Sequence, residues 1–162
     1  MSSAPPILAV DFRFGGRHQE LGPVRILVVD DFEPWRRSIV SILEEDPELV
    51  VIHEASDGLE AVQMCQELQP DLVVLDVGLP KLSGLEVARQ IRVLSPDSKI
   101  LFLSVIPSQD VIREALRIGA VGYIAKADAL RNLLPAVRAA LADQEFLRFT
   151  ILPEAQTDLP EE

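Results

Sequence analysis

The chain has 162 residues, 48% of them hydrophobic, and a formal net charge of −11. That is enough apolar chain for one domain with a real core, which excludes a wholly disordered protein. The acidity is spread along the chain, and it argues against nucleic acid as a direct partner, because phosphate binding needs clustered Lys and Arg.

Cys65 is the sole cysteine, which excludes an internal disulfide and a cysteine zinc site. It falls in a helical pattern, where a small packed side chain is expected. The first residues lack a basic stretch followed by a long apolar one, and no run approaches the ~18 apolar residues of a membrane span. The expectation is a soluble cytoplasmic protein with no membrane partner.

Residues 1–23 read as an N-terminal extension, with loop signals at Pro5-Pro6, Gly15-Gly16 and Gly22-Pro23. It holds the apolar patch Ile7-Leu8-Ala9-Val10 and His18, read as solvated. A regular rhythm follows. Arg25 to Val29 is a short apolar strand ending at Asp30-Asp31. A helix is expected from about Glu33 to Glu45, with Pro34 tolerated in its first turn and Trp35, Ile39, Ile42 and Leu43 at helical spacing. Asp46-Pro47 stops it.

Val50 to Ala55 reads as a second strand, Asp57-Gly58 as a turn, and Leu59 to Leu68 as a second helix. Leu72-Val73-Val74-Leu75 is an unbroken apolar run, the mark of a strand covered on both faces. Asp76 follows it, then a turn with Gly78 and Pro80. A third helix is expected from about Gly84 to Leu94, and a fourth strand over Lys99 to Ser104. A fourth helix runs from about Gln109 to Ile118, and a fifth strand over Val121 to Ala125. A last helix ends near Leu141. Pro135 lies in its pattern, so the helix either starts near Arg131 or Asn132, with Pro135 in its first turn, or is kinked there.

Strands alternating with helices, each strand starting roughly 25 residues after the last, are the signature of βαβ units. The fold class is α/β with a parallel sheet. The expected domain is residues 24–143. Residues 144–162 form a tail with an apolar patch (Phe146, Leu147, Phe149, Ile151, Leu152) and an acidic end.

Ligands gather outside the carboxyl ends of parallel strands. Asp30 and Asp31 follow the first strand, Asp76 the third, Ser104 ends the fourth and Lys126 follows the fifth. Carboxylates so close repel one another, and a hard divalent cation relieves that. Magnesium suits a few carboxylates plus waters and phosphate oxygens. Carboxylates also act as nucleophiles toward phosphorus, giving an acyl phosphate. The grouping therefore reads as a magnesium site at Asp30 and Asp31 beside the nucleophile Asp76. Lys126 is placed to neutralise one phosphoryl oxygen and Ser104 to donate to another. Taken singly, Asp76 would be a turn residue or helix cap, Lys126 a solvated lysine, and Ser104 a strand-end hydroxyl bonding its own backbone. The combination at separate strand ends carries the reading.

Leu27-Val28-Val29-Asp30-Asp31-Phe32, Val74-Leu75-Asp76-Val77-Gly78-Leu79-Pro80 with Gly84, Phe102-Leu103-Ser104 and Gly122-Tyr123-Ile124-Ala125-Lys126 together resemble the CheY-like receiver domain of two-component response regulators. Gly84-Leu85-Glu86-Val87-Ala88 and Arg113 to Ala120 look most like receivers of the NarL/FixJ type. The resemblance covers about Val24 to Leu141. It implies a flavodoxin-like (βα)5 fold with strand order 2-1-3-4-5. It implies phosphoryl transfer from a histidine kinase to Asp76 with Mg2+ as cofactor. Asp31 and Asp76 would bind the metal directly, Gly78 through its backbone carbonyl, and Asp30 largely through water. Ser104 and Lys126 would contact the phosphoryl group, and Tyr123 would be the switch aromatic. On its residues alone, Tyr123 reads as a core aromatic with its hydroxyl at the surface.

NarL/FixJ-type receivers usually continue into a DNA-binding helix-turn-helix, which is not expected here. The expectation is a stand-alone receiver signalling through protein contacts of its fourth strand, fourth helix and fifth strand, without turnover chemistry. Val105 is larger than the Ala or Gly often found after the hydroxyl residue, which suggests restricted access to Asp76. The alternatives are a magnesium-dependent aspartyl-phosphate phosphatase and a degenerate receiver acting as a constitutive interaction module. Such phosphatases carry a second Asp two residues after the first, where this chain has Gly78. His53 reads as a strand histidine rather than a phosphorelay site. The sequence identifies neither the kinase nor the downstream protein, and it leaves a homodimer open.

Overall fold

Strand β1 (Val24–Val29) is flanked on both sides, by β2 (Leu49–Ala55) and by β3 (Leu72–Asp76), each parallel to it. This computed structural model describes residues 22–105 and 108–142. The sheet continues through β4 (Lys99–Ser104) and β5 (Gly122–Ala125), all parallel, in the order 2-1-3-4-5. The helices between them are α1 (Glu33–Leu43), α2 (Gly58–Leu68), α3 (Gly84–Leu94), α4 (Gln109–Ile118) and α5 (Ala129–Leu141). Helices α1 and α5 pack together on one face, and α2, α3 and α4 form a row on the other. This is the expected flavodoxin-like α/β fold.

The burial explains the apolar runs. All five residues of β3 are buried, and so are Ile26 to Val29 of β1. A central strand covered on both faces has no solvent side for polar residues. The edge strand β2 is only half buried, and there His53 and Glu54 find room.

Short polar side chains start the helices. Asp57, Ser83 and Ser108 accept from the backbone N–H of Glu60, Glu86 and Val111, which caps α2, α3 and α4. Asp57-Gly58, read as a turn, is thus the cap and first residue of α2. Gly119, in the left-handed region at φ 110°, ends α4 as the sequence suggests.

Of the two alternatives for the last helix, the start near Arg131 or Asn132 is not the one found. A 3-10 turn over Lys126–Asp128 leads into α5 at Ala129, so Pro135 lies inside the helix rather than in its first turn. Ala129 is fully buried and anchors that start. Pro135 itself is exposed, and so is Arg131, whose carbonyl has no N–H donor at Pro135. The apolar patches at 7–10 and 146–152, His18 and the boundary at residue 143 lie outside the described residues.

Candidate functional site

The chain passes from β1 to β2 on one side and then to β3 on the other, so the carboxyl ends of β1 and β3 border a crevice. Asp30 follows β1 directly and Asp76 is the last residue of β3. Asp30 and Asp76 are buried, whereas Asp31 is exposed. One carboxylate oxygen from each of the three lies within 4.8 Å of the others. Lys126 reaches over from the end of β5. Its Nζ lies 2.6 Å from Asp30 Oδ2 and 3.5 Å from Asp76 Oδ2. Ser104 is buried at the end of β4. It lines an open hollow of about 550 Å³ together with Asp31, Asp76, Gly78 and Lys126.

Burial pushes the Asp76 carboxyl up to about 6; the Lys126 ammonium opposes this, and the charges of Asp30 and Asp31 add to it. The Gly78 N–H donates to Asp76 Oδ1 at 3.2 Å and favours the charged form. Asp30 is fully engaged: Oδ1 accepts from the Phe32 N–H at 2.9 Å and Oδ2 from Lys126. Asp31 is the open carboxylate. Three carboxylates this close, two of them buried, are a donor set that fits a hard divalent cation.

The β3–α3 loop is braced from below. The Gly58 N–H donates to the Pro80 carbonyl at 3.3 Å, and Lys81, at φ 69°, pairs with Asp57 at 3.2 Å. Gly84 sits against the strand end itself. A Cβ there would lie 2.2 Å from the Asp76 carbonyl oxygen and 2.7 Å from the Val77 Cα.

Tyr123 departs from the residue-based reading. It is 1% exposed, and its hydroxyl is buried with no hydrogen-bond partner among the described residues. Burial raises its pKa, and Ser104 and the Asp76 carboxylate are the polar groups nearest enough to influence it. The hydroxyl faces the site rather than the surface.

Two residues escaped the sequence reading. Arg36 donates to the Asp30 carbonyl at 2.8 Å while its Nε holds Glu54 at 3.0 Å, which fixes the turn after β1. Trp35 was legible only as an apolar position of α1, yet it lines the hollow and lies under Lys126. Helical spacing signals burial and carries no hint of either contact. His53 pairs with Glu60 at 3.1 Å, away from the site, and Cys65 is buried with its thiol pushed up to about 12 by desolvation.

Residues 26–138 match the family described as response regulator receiver domain. The chain belongs to that family. Receiver domains take a phosphoryl group from histidine kinases, generally bind Mg2+ at an acidic pocket, and act as signalling modules rather than turnover enzymes. The chain is 34% identical over 117 residues to the transcriptional regulatory protein LiaR of Bacillus subtilis, covering 72% of this chain and 56% of LiaR. It spans about half the length of the curated relatives it matches. A LuxR-family two-component response regulator from Aurantimonas superposes with a TM-score of 0.73 at 31% identity, over 82% of this chain and 97% of that one. A response regulator from Burkholderia pseudomallei, solved with a phosphorylated aspartic acid, a calcium ion and citrate, has a TM-score of 0.68 at 26% identity, over 85% and 75%. Among the described residues no helix is long and apolar enough to cross a membrane.

Proposed function

We propose that Asp76 is the phosphoacceptor, taking its phosphoryl group from a phosphohistidine of a histidine kinase. The observation that carries this is the grouping of three carboxylates within 4.8 Å with Lys126 Nζ 3.5 Å from Asp76. An Asp76 oxygen forms the new bond to phosphorus, the phosphorus–nitrogen bond breaks, and its electron pair stays on the imidazole. Lys126 and Ser104 take the phosphoryl oxygens. The Burkholderia regulator, with its phosphorylated aspartic acid, supports the same chemistry on a related fold.

Magnesium supplies charge neutralisation at the phosphoryl oxygens when bound. Asp31 and Asp76 with the Gly78 carbonyl would hold it directly, and Asp30 largely through water. The two bonds already made by the Asp30 oxygens, against the exposed Asp31, favour that division.

The output runs through Ser104 and Tyr123 to the surface of β4, α4 and β5, where a partner protein reads the change. The buried Tyr123 hydroxyl beside Ser104, without a hydrogen-bond partner among the described residues, supports a residue with somewhere better to go. The net charge of −11 favours a protein over nucleic acid as that partner. We read residues 24–143 as a receiver acting in the cytoplasm, with residues 1–23 and 144–162 flanking it. Acetyl phosphate or beryllofluoride with magnesium tests the reading. A response lost in Asp76→Ala supports the receiver. Steady phosphate release from many substrates indicates a phosphatase, and no response a constitutive interaction module.

A further inference from the structure

Lys126 has a third neighbour. Its Nζ lies 5.8 Å from the centroid of the Trp35 ring. Trp35 stands in the first turn of α1, lines the hollow that holds Asp76, and is the sole tryptophan of the chain. Its indole N–H is buried and has no hydrogen-bond partner among the described residues. A buried orphan donor is costly, and Leu or Phe would fill the space without it. The electron-rich indole face is what those residues lack or offer less of.

We propose that Trp35 is a positioning residue, its indole face holding the Lys126 ammonium at the wall of the hollow beside Asp76. The proposal rests on Asp76 being the phosphoacceptor. Lysine is a point charge on a flexible four-carbon stem. Its close contact here is with Asp30, at 2.6 Å, not with Asp76, at 3.5 Å. Asp30 is thus the stronger draw, and it pulls the ammonium toward the β1 side. The Trp35 face provides a second attraction from within the same hollow, in a site where Lys126 is only 15% exposed and the contact is little screened. A lysine tip held this way needs less ordering when a phosphoryl oxygen arrives, which is a gain in rate rather than in donor affinity.

The test uses the full chain with Trp35→Leu and Trp35→Phe. In the wild type, NMR places the Lys126 ε-methylene protons upfield through the indole ring current. Trp35→Leu abolishes that shift. It also slows labelling of Asp76 at saturating acetyl phosphate by about threefold to tenfold, the size expected of one cation–π contact, with the donor KM unchanged. Trp35→Phe restores most of the rate because it keeps a π face. Wild-type Lys126 protons without an upfield shift overturn the proposal. So does labelling in Trp35→Leu as fast as wild type, or Trp35→Phe as slow as Trp35→Leu. Those outcomes leave the phosphoacceptor standing, whereas a wild type that takes no phosphoryl group at Asp76 removes both.

Discussion

Lys126 Nζ donates to Asp30 Oδ2 at 2.6 Å across 96 residues of chain. The pair closes the acidic crevice from the β5 side and brings the ammonium to Asp76 as well. One cation thus offsets two buried carboxylates, and several properties of the site depend on that balance.

Replacing Lys126 by Met leaves Asp30 and Asp76 facing each other without compensation. Loss of one partner of a buried pair costs about 3–5 kcal/mol, so thermal unfolding without metal moves down accordingly. The same change removes a cation that competes for the carboxylates. The stabilisation produced by added Mg2+, read as a shift in Tm, becomes larger than in the wild type, while labelling of Asp76 by acetyl phosphate is lost.

Asp76 makes stability depend on pH. The folded carboxyl titrates near 6 and the unfolded one near 3.8. Between those values the folded state binds more protons, so stability falls as pH rises from about 4 to about 6 and stays low above. Asp76→Asn deletes this penalty. In EDTA the variant is more stable than wild type at neutral pH by about 1–3 kcal/mol, and the difference vanishes near pH 4. Urea unfolding across that range checks the slope.

Gly84→Ala should destabilise although alanine is the better helix former by about 1 kcal/mol. The added Cβ would lie 2.2 Å from the Asp76 carbonyl oxygen and meets backbone that cannot swing aside. We expect a net loss of at least about 2 kcal/mol and impaired phosphorylation, because the atom displaced belongs to the phosphoacceptor. Thermal melts and mass-resolved labelling report the two effects separately.

Tyr123→Phe removes a buried hydroxyl that has no hydrogen-bond partner among the described residues. The unphosphorylated protein gains about 1 kcal/mol. Labelling at Asp76 continues, while the phosphorylation-dependent change at the β4–α4–β5 surface weakens, seen by comparing NMR shifts of α4 with and without beryllofluoride.

Val105 is 68% exposed and lines the hollow beside Asp76. Its removal as Val105→Ala opens a path for water, so the acyl phosphate decays several-fold faster than in the wild type. A decay rate unchanged from wild type would sink the access role.

The sheet was legible because each strand is an apolar run closed by a turn or a carboxylate, and β3 announces itself by being buried on both faces. The site was legible for the same reason: Asp30, Asp76, Ser104 and Lys126 each end or follow a strand, and parallel strands deliver their ends to one edge. Pro135 was harder, since the burial of Ala129 that sets the start of α5 depends on tertiary contacts. The inward hydroxyl of Tyr123, the Arg36 bond to the Asp30 carbonyl and the place of Trp35 under Lys126 are also tertiary facts. Period and propensity show which face a residue takes, not which atom it meets there.

The most direct measurement is mass spectrometry of the full chain after incubation with acetyl phosphate and Mg2+, with the modified residue mapped by peptide fragmentation. The account predicts one phosphoryl group, carried on Asp76, absent with EDTA and absent in Asp76→Asn. A phosphoryl group on another residue, or none on a folded wild-type chain, contradicts it.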